Sequence, residues 1–257
     1  MRALAAALVA LLAAGCGGTQ GDPAELGPEA VRAAPARAHA EGTVEFQVLY
    51  TRTKGGGRAQ PYLSGTGALD LARGSGRLGL DLSGLAAGVP ATVDVSPFDE
   101  PFELRWDARL LKVRAEDLSR RIARDEARES AGLLGRLPDE PAAMLGLLAL
   151  AEDTRVTGAD EIHGRPTRRF AFRVPSLRAG KAGVPAELAP ALRQGHHGPV
   201  LDVETWLDAD GLPRRIALRI PLPAVTNASG AVLLPARTIT GTYDYLEYGG
   251  DVDTGPD

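Results

Sequence analysis

The feature that most constrains this chain is a two-residue alternation of apolar and polar side chains, interrupted at short intervals by turn-forming residues. Val44, Phe46, Val48 and Tyr50 alternate with Glu45, Gln47 and Leu49. Successive side chains of a strand point to opposite faces, so this spacing predicts a strand with one face in a core. Leu69 and Leu71, then Leu78, Leu80 and Leu82, flank Gly74-Ser75-Gly76, which predicts a hairpin. Leu104-Arg105-Trp106 and residues 110–113 form a second hairpin around Asp107-Ala108. Arg168, Phe170, Phe172 and Val174 alternate with Thr167, Arg169 and Arg173. Residues 203–208 and 213–220 flank Asp208-Ala209-Asp210-Gly211, and 232–245 closes the series. Short loops join antiparallel strands, whereas parallel neighbours need a crossover of a dozen or more residues. The pattern therefore predicts about nine strands in a meandering antiparallel sheet.

Helical spacing appears in four places. Residues 29–40 are rich in Ala, Arg and Glu, with Pro35 a kink. Residues 116–130 place Glu116 with Arg120 and Asp117 with Arg121 at i,i+4, which predicts a charge-laced helix. Residues 139–152 carry Met144, Leu145, Leu147, Leu148 and Leu150 round most of the circumference, so this helix must be covered. A short helix is expected over 186–194. Aromatic residues make up only 5% of a chain that is 44% apolar, so Leu, Val, Ala and Ile must supply most of the core. The expected fold class is α+β, a curved antiparallel sheet with helices on one side.

The N-terminus addresses the chain. Arg2 precedes an apolar run over 3–14, too short to span a bilayer but right for a signal peptide. Leu12-Ala13-Ala14-Gly15-Cys16 matches the bacterial lipobox, in which the cysteine is lipidated and becomes the first mature residue. The single cysteine of the sequence stands at that position. Two fatty acyl chains (palmitate or its like) give stable anchoring where one gives only marginal binding. The expected divisions are a lipoprotein signal peptide over 1–15, a Gly/Pro-rich tether over 16–28, a folded domain over 29–248 and a loose acidic tail over 249–257. The expected location is the extracytoplasmic face of the cell membrane, with the lipid anchor on Cys16 as the membrane partner.

Chemistry is sparsely represented. Lys plus Arg number 29 against 33 Asp plus Glu, so there is no basic surplus for nucleic acid. There is no G-x-S-x-G and no P-loop, and Ser75 belongs to a hairpin turn. Asp208-x-Asp210-Gly211 lacks the further oxygen ligands of a calcium loop and reads as a turn. His196-His197 and His163 stand without neighbouring ligands and read as loop residues. Arg120, Arg121, Arg124 and Arg128 are interleaved with acids, as on a solvated face. The sequon at Asn227 is discounted in a bacterial lipoprotein. The reading is a non-enzyme with no cofactor and no metal.

Three segments carry a family resemblance. Gly158, Ile162, Gly164, Thr167 and Phe170 resemble a hairpin of actinobacterial lipoproteins of the LppX/LprG type. Trp206, Asp208, Gly211, Arg214 and Arg215 look like their Trp-containing hairpin, and Tyr245-Leu246-Glu247-Tyr248-Gly249 is similar to their terminal strand. Residues 83–102 and the loop at 54–58 have no counterpart in that pattern. The resemblance implies a fold like that of the LolA/LolB carriers, a half-barrel with helices over its concave side and an apolar cavity between. It also implies a lipid or lipoprotein ligand, while a protein partner is left open. Alternation then assigns Phe46, Val48, Leu69, Leu71, Leu80, Trp106, Phe172 and Leu218 to the cavity face, opposite Met144 and Leu148 of the covering helix. The alternative is an envelope interaction or sensor lipoprotein that keeps the fold and fills the cavity.

Overall fold

A computed structural model of the chain describes residues 22–55, 57–86, 101–115, 118–130, 136–175, 200–227 and 229–254. Cys16, His196, His197, the helix expected over 186–194 and most of 83–102 lie outside them. Thirteen strands are described: β1 (Thr43–Lys54), β2 (Gln60–Asp70), β3 (Ser75–Asp81), β4 (Phe102–Trp106), β5 (Leu110–Ala115), β6 (Leu118–Ala123), β7 (Glu152–Ile162), β8 (Arg165–Pro175), β9 (Val200–Leu207), β10 (Pro213–Leu222), β11 (Val225–Thr226), β12 (Val232–Leu234) and β13 (Arg237–Tyr248). Eleven of them make one open antiparallel sheet in the order β6-β5-β4-β3-β2-β1-β13-β10-β9-β8-β7. The other two, β11 and β12, form a small hairpin.

The topology is two meanders joined in the middle. The first runs outward from β1 to the edge at β6. The second enters at the opposite edge, β7, and works inward until β13 pairs with β1, Val48 opposite Tyr243. Between the two edges the chain passes through α3 (Arg124–Ser130) and α4 (Glu140–Ala149). Two further helices are α1 (Glu29–Glu41) and the single turn α2 (Ser83–Ala86). No helix among the described residues is long and apolar enough to cross a membrane.

The alternation in β1 is realised residue by residue. Val44, Phe46, Val48 and Tyr50 are buried, while Glu45, Gln47 and Leu49 are exposed. Neighbouring strands make room for the large rings. Phe46 lies over Gly67, and Tyr50 over Gly241, so close that a Cβ at either glycine would sit 2.7 Å from the ring. The helix α1 presents Ala30, Val31, Ala34 and Ala38 to the core and continues through Pro35 to Gly42, which takes φ +81°. Small side chains on this face let α1 approach both α4 and the sheet.

The sheet has eleven strands where about nine are expected, and two segments differ from their expected structure. Residues 116–130 are expected as one helix, but β6 occupies Leu118–Ala123 and pairs with β5, Leu111 opposite Ile122. Only from Arg124 does the chain turn helical. Charges at i,i+4 suit an edge strand as well as a helix, since charged edges discourage further strand pairing. The tail, expected to be loose, is tied down over its described part. Asp253 pairs with Arg105 at 3.0 Å, and the Thr254 hydroxyl meets Ser75 Oγ at 3.1 Å.

Candidate functional site between sheet and helix

All ten residues assigned to the cavity face lie in one apolar cluster between the sheet and the helices. Phe46, Met144, Leu148 and Leu218 are fully buried, and none of the ten is more than 7% exposed. A void wide enough for an acyl chain would leave the side chains around it accessible to a water-sized sphere. In this state the space around the ten is packed.

Polar groups sit inside the same interface. Glu140, in the first turn of α4, is only 1% exposed. Tyr243 Oη donates to its Oε2 at 2.5 Å, and Tyr50 Oη reaches the same oxygen at 3.1 Å. The two hydroxyls are themselves 3.1 Å apart. Tyr245 Oη donates to the Pro141 carbonyl at 2.8 Å. Burial pushes the Tyr245 hydroxyl well above the usual phenol range, so it is a donor throughout the physiological pH range. A carboxylate in the first helical turn also faces the positive end of the helix dipole. At the other end of α4, Arg32 Nε of α1 donates to the Ala151 carbonyl at 2.8 Å. The covering helix is thus held at both ends by hydrogen bonds and along its length by apolar contact. Sequence reasoning placed Tyr50 and Tyr245 on strands but did not single out Glu140, Tyr243 or the polar contacts between them. The available signal was an acid opening an otherwise apolar helix and tyrosines two apart in the last strand.

The chemical candidates resolve into structure. Asp208 Oδ1 accepts from the backbone N–H groups of Asp210 and Leu212, and its Oδ2 accepts from Arg214 Nε at 2.6 Å. That is a hairpin turn closed by a buried ion pair. Arg124 and Arg128 both grip Asp139, at 2.5 and 2.8 Å, and tie α3 to the start of α4. Arg120 and Arg121 stay exposed on the edge strand β6. His163 Nε2 lies 2.8 Å from Asp244, whose carboxylate also receives two hydrogen bonds from Arg215 at 2.6 Å. Among the described residues no three His, Cys, Asp or Glu side chains gather as a metal site.

No family model matches the sequence, and no curated protein matches it. Solved structures do. LprF from Mycobacterium bovis aligns with a TM-score of 0.51 at 14% identity, covering 91% of this chain and 98% of that one. The lipoprotein LppX from Mycobacterium tuberculosis aligns at 0.47 and 10% identity, covering 88% and 99%. A LolA superfamily protein from Nitrosomonas europaea aligns at 0.31 and 9%, covering 88% and 94%. At such identities a likeness speaks for architecture alone, and the architecture of this chain, an open antiparallel sheet backed by helices, is similar to that of LprF.

Proposed function

We propose that the chain is a non-enzymatic envelope lipoprotein. Acyl chains on Cys16 hold it on the extracytoplasmic face of the cell membrane. Its folded domain takes an apolar ligand, a lipid or an acylated molecule, between the sheet and α4. The observation that supports this most is the way α4 is held. Its middle contributes Met144, Leu145, Leu147 and Leu148 to an apolar contact, and directional bonds lie at its ends. Apolar contact is non-directional, so an acyl chain can replace it without loss, each buried methylene contributing about 0.8 kcal/mol. The packed interior is then the closed, ligand-free state.

One observation favours the second reading, an interaction or sensor lipoprotein with a filled core. It is the burial of all ten assigned residues, none above 7% exposure. Melting temperature alone does not separate the two readings, because Val48→Trp overpacks a closed interior in both, by ~1–3 kcal/mol. The ligand does. Protein freed of its anchor by Cys16→Ser and purified without detergent is extracted with organic solvent and the extract analysed by mass spectrometry. In parallel, the protein is titrated with the fluorescent fatty acid cis-parinaric acid. The carrier reading expects saturable binding near one per chain, lost in Val48→Trp and Met144→Trp. Absence of both extractable lipid and saturable binding would establish the filled core instead.

A further inference from the structure

The face of the sheet turned away from the helices carries an open groove of about 620 Å³ across β7, β8, β9, β10 and β13. Its make-up follows from register. In one row Thr240, Arg219, Asp202 and Arg173 stand side by side on successive strands. In the next row Ala217, Glu204, Ala171 and Arg155 do the same. Two alanines and the threonines keep the floor low, and four arginines rise round it. Neighbouring strands lie about 4.8 Å apart, so the backbones of Arg173 and Arg219 are roughly 10 Å apart across Asp202. That separation admits an oxyanion between two guanidinium groups.

The arginines differ in how far they are already engaged. Arg169 pairs with Glu204 at 2.7 Å and stacks its guanidinium over Trp206, 5.0 Å from the ring centre. Its Nε is buried and has no hydrogen-bond partner. Arg173 reaches Asp153 at 3.5 Å, at an exposed rim. Arg155 and Arg219, both exposed, have no ion-pair partner among the described residues. Guanidinium forks fit carboxylate and phosphate oxygens, two donors to two acceptors. Asp202 and Glu204 are acceptors only, matched to hydroxyl donors, and the threonine hydroxyls serve either way. The two carboxylates also weigh against a densely charged polyanion such as nucleic acid or polyphosphate.

We infer that this groove is a binding site for an acidic carbohydrate, a sugar bearing a carboxylate or phosphate. The oxyanion lies among Arg155, Arg173 and Arg219, and the sugar hydroxyls meet Asp202, Glu204 and the threonines. The site lies on the opposite face from the proposed lipid site and stands or falls without it.

The test uses the full-length protein in detergent at low ionic strength, followed by isothermal titration calorimetry. The titrants are digalacturonate and glucose 1-phosphate, with glucose, inorganic phosphate and tetraglutamate as comparators. Saturable binding of either acidic sugar, about tenfold or more tighter than any comparator, is the expected result. Arg155→Gln with Arg219→Gln weakens it by about tenfold or more, and Ala217→Trp, which fills the floor, abolishes it. Circular dichroism and melting temperature check that these surface variants fold. No saturable binding of either acidic sugar, equal binding of phosphate or tetraglutamate, or unchanged affinity in the variants overturns the inference.

Discussion

Glu140 is the residue where local and long-range determinants part most clearly. Its position at the start of a helix is readable from neighbours, but its partners Tyr50 and Tyr243 lie 90 and 103 residues away. No spacing rule brings them together; only the pairing of β1 with β13 does. A buried carboxylate that loses an acceptor–donor contact pays the desolvation of the group left behind. Tyr243→Phe is therefore expected to lower unfolding free energy by ~1–3 kcal/mol, read by urea denaturation. The same substitution at the half-buried Tyr248, whose hydroxyl bonds the Pro213 carbonyl at 2.8 Å, should cost less, since the acceptor there is a neutral carbonyl rather than an acid side chain. Equal losses would show that the carboxylate adds nothing to the contact. Asp208 is the opposite case. Every partner lies within six residues, so its turn was legible from Asp-x-Asp-Gly alone. Arg214 is 5% exposed and its partner Asp208 9%, so Asp208→Ala strands a buried cation and should cost about 3–5 kcal/mol in the same assay.

At the scale of elements, strands were legible where one face is buried and the next polar, as in β1, β8 and β10. They were not legible where an edge carries charge, as in β6, because pairing rather than pattern decides there. Glycines in the sheet show the same division. A Cβ on Gly76 would lie 2.4 Å from Trp106 Cζ2 and 2.7 Å from the Ala68 carbonyl oxygen. Three residues on, a Cβ on Gly79 would meet nothing nearer than the Thr66 carbonyl oxygen at 3.8 Å. Both glycines belong to β3, so propensity is common to them and packing alone differs. Gly76→Val should destabilise by ~1–3 kcal/mol through overpacking. Gly79→Val should be neutral or slightly stabilising, because a β-branched residue suits a strand better than glycine. Thermal melts of the two variants decide, and a Gly79→Val protein as impaired as Gly76→Val would discount the role of Trp106.

At the scale of the molecule, α+β class, antiparallel pairing and one-sided helices were legible in the sequence, since each rests on periodicity and turn chemistry. The strand order was not. Joining two meanders through β1 and β13 requires a helical crossing from one edge to the other, and nothing local encodes which strands then meet. That order has a consequence for the proposed anchor. Six residues lie between Cys16 and Pro23, seven Cα–Cα steps with a reach of at most about 25 Å. The turn Pro23–Glu25 contacts β8, and Pro23 shares a recess with Gly164, Pro166, Asp208 and Asp210, at the end of the sheet where β1 begins and β13 finishes. Arg168 fixes that contact through the Ala24 carbonyl. The β11–β12 hairpin, with Val232 and Leu233 both 61% exposed, follows the other ends of the strands. The twelve residues of β1 span about 40 Å. With Cys16 acylated, the tether keeps the turn at Asp210 within reach of the bilayer, and the β11–β12 hairpin at the far end is expected to lie farther from it. On the proposed reading Cys16 carries its lipid and is not free to react, so Asp210→Cys and Ala231→Cys each offer a single thiol for a donor dye. In vesicles holding an acceptor-labelled headgroup, energy transfer should be strong from position 210 and weak from position 231. Cys16→Ser should abolish transfer from both. Equal transfer from the two positions, or transfer that survives Cys16→Ser, would mean that the lipidated N-terminus does not set the orientation of the domain.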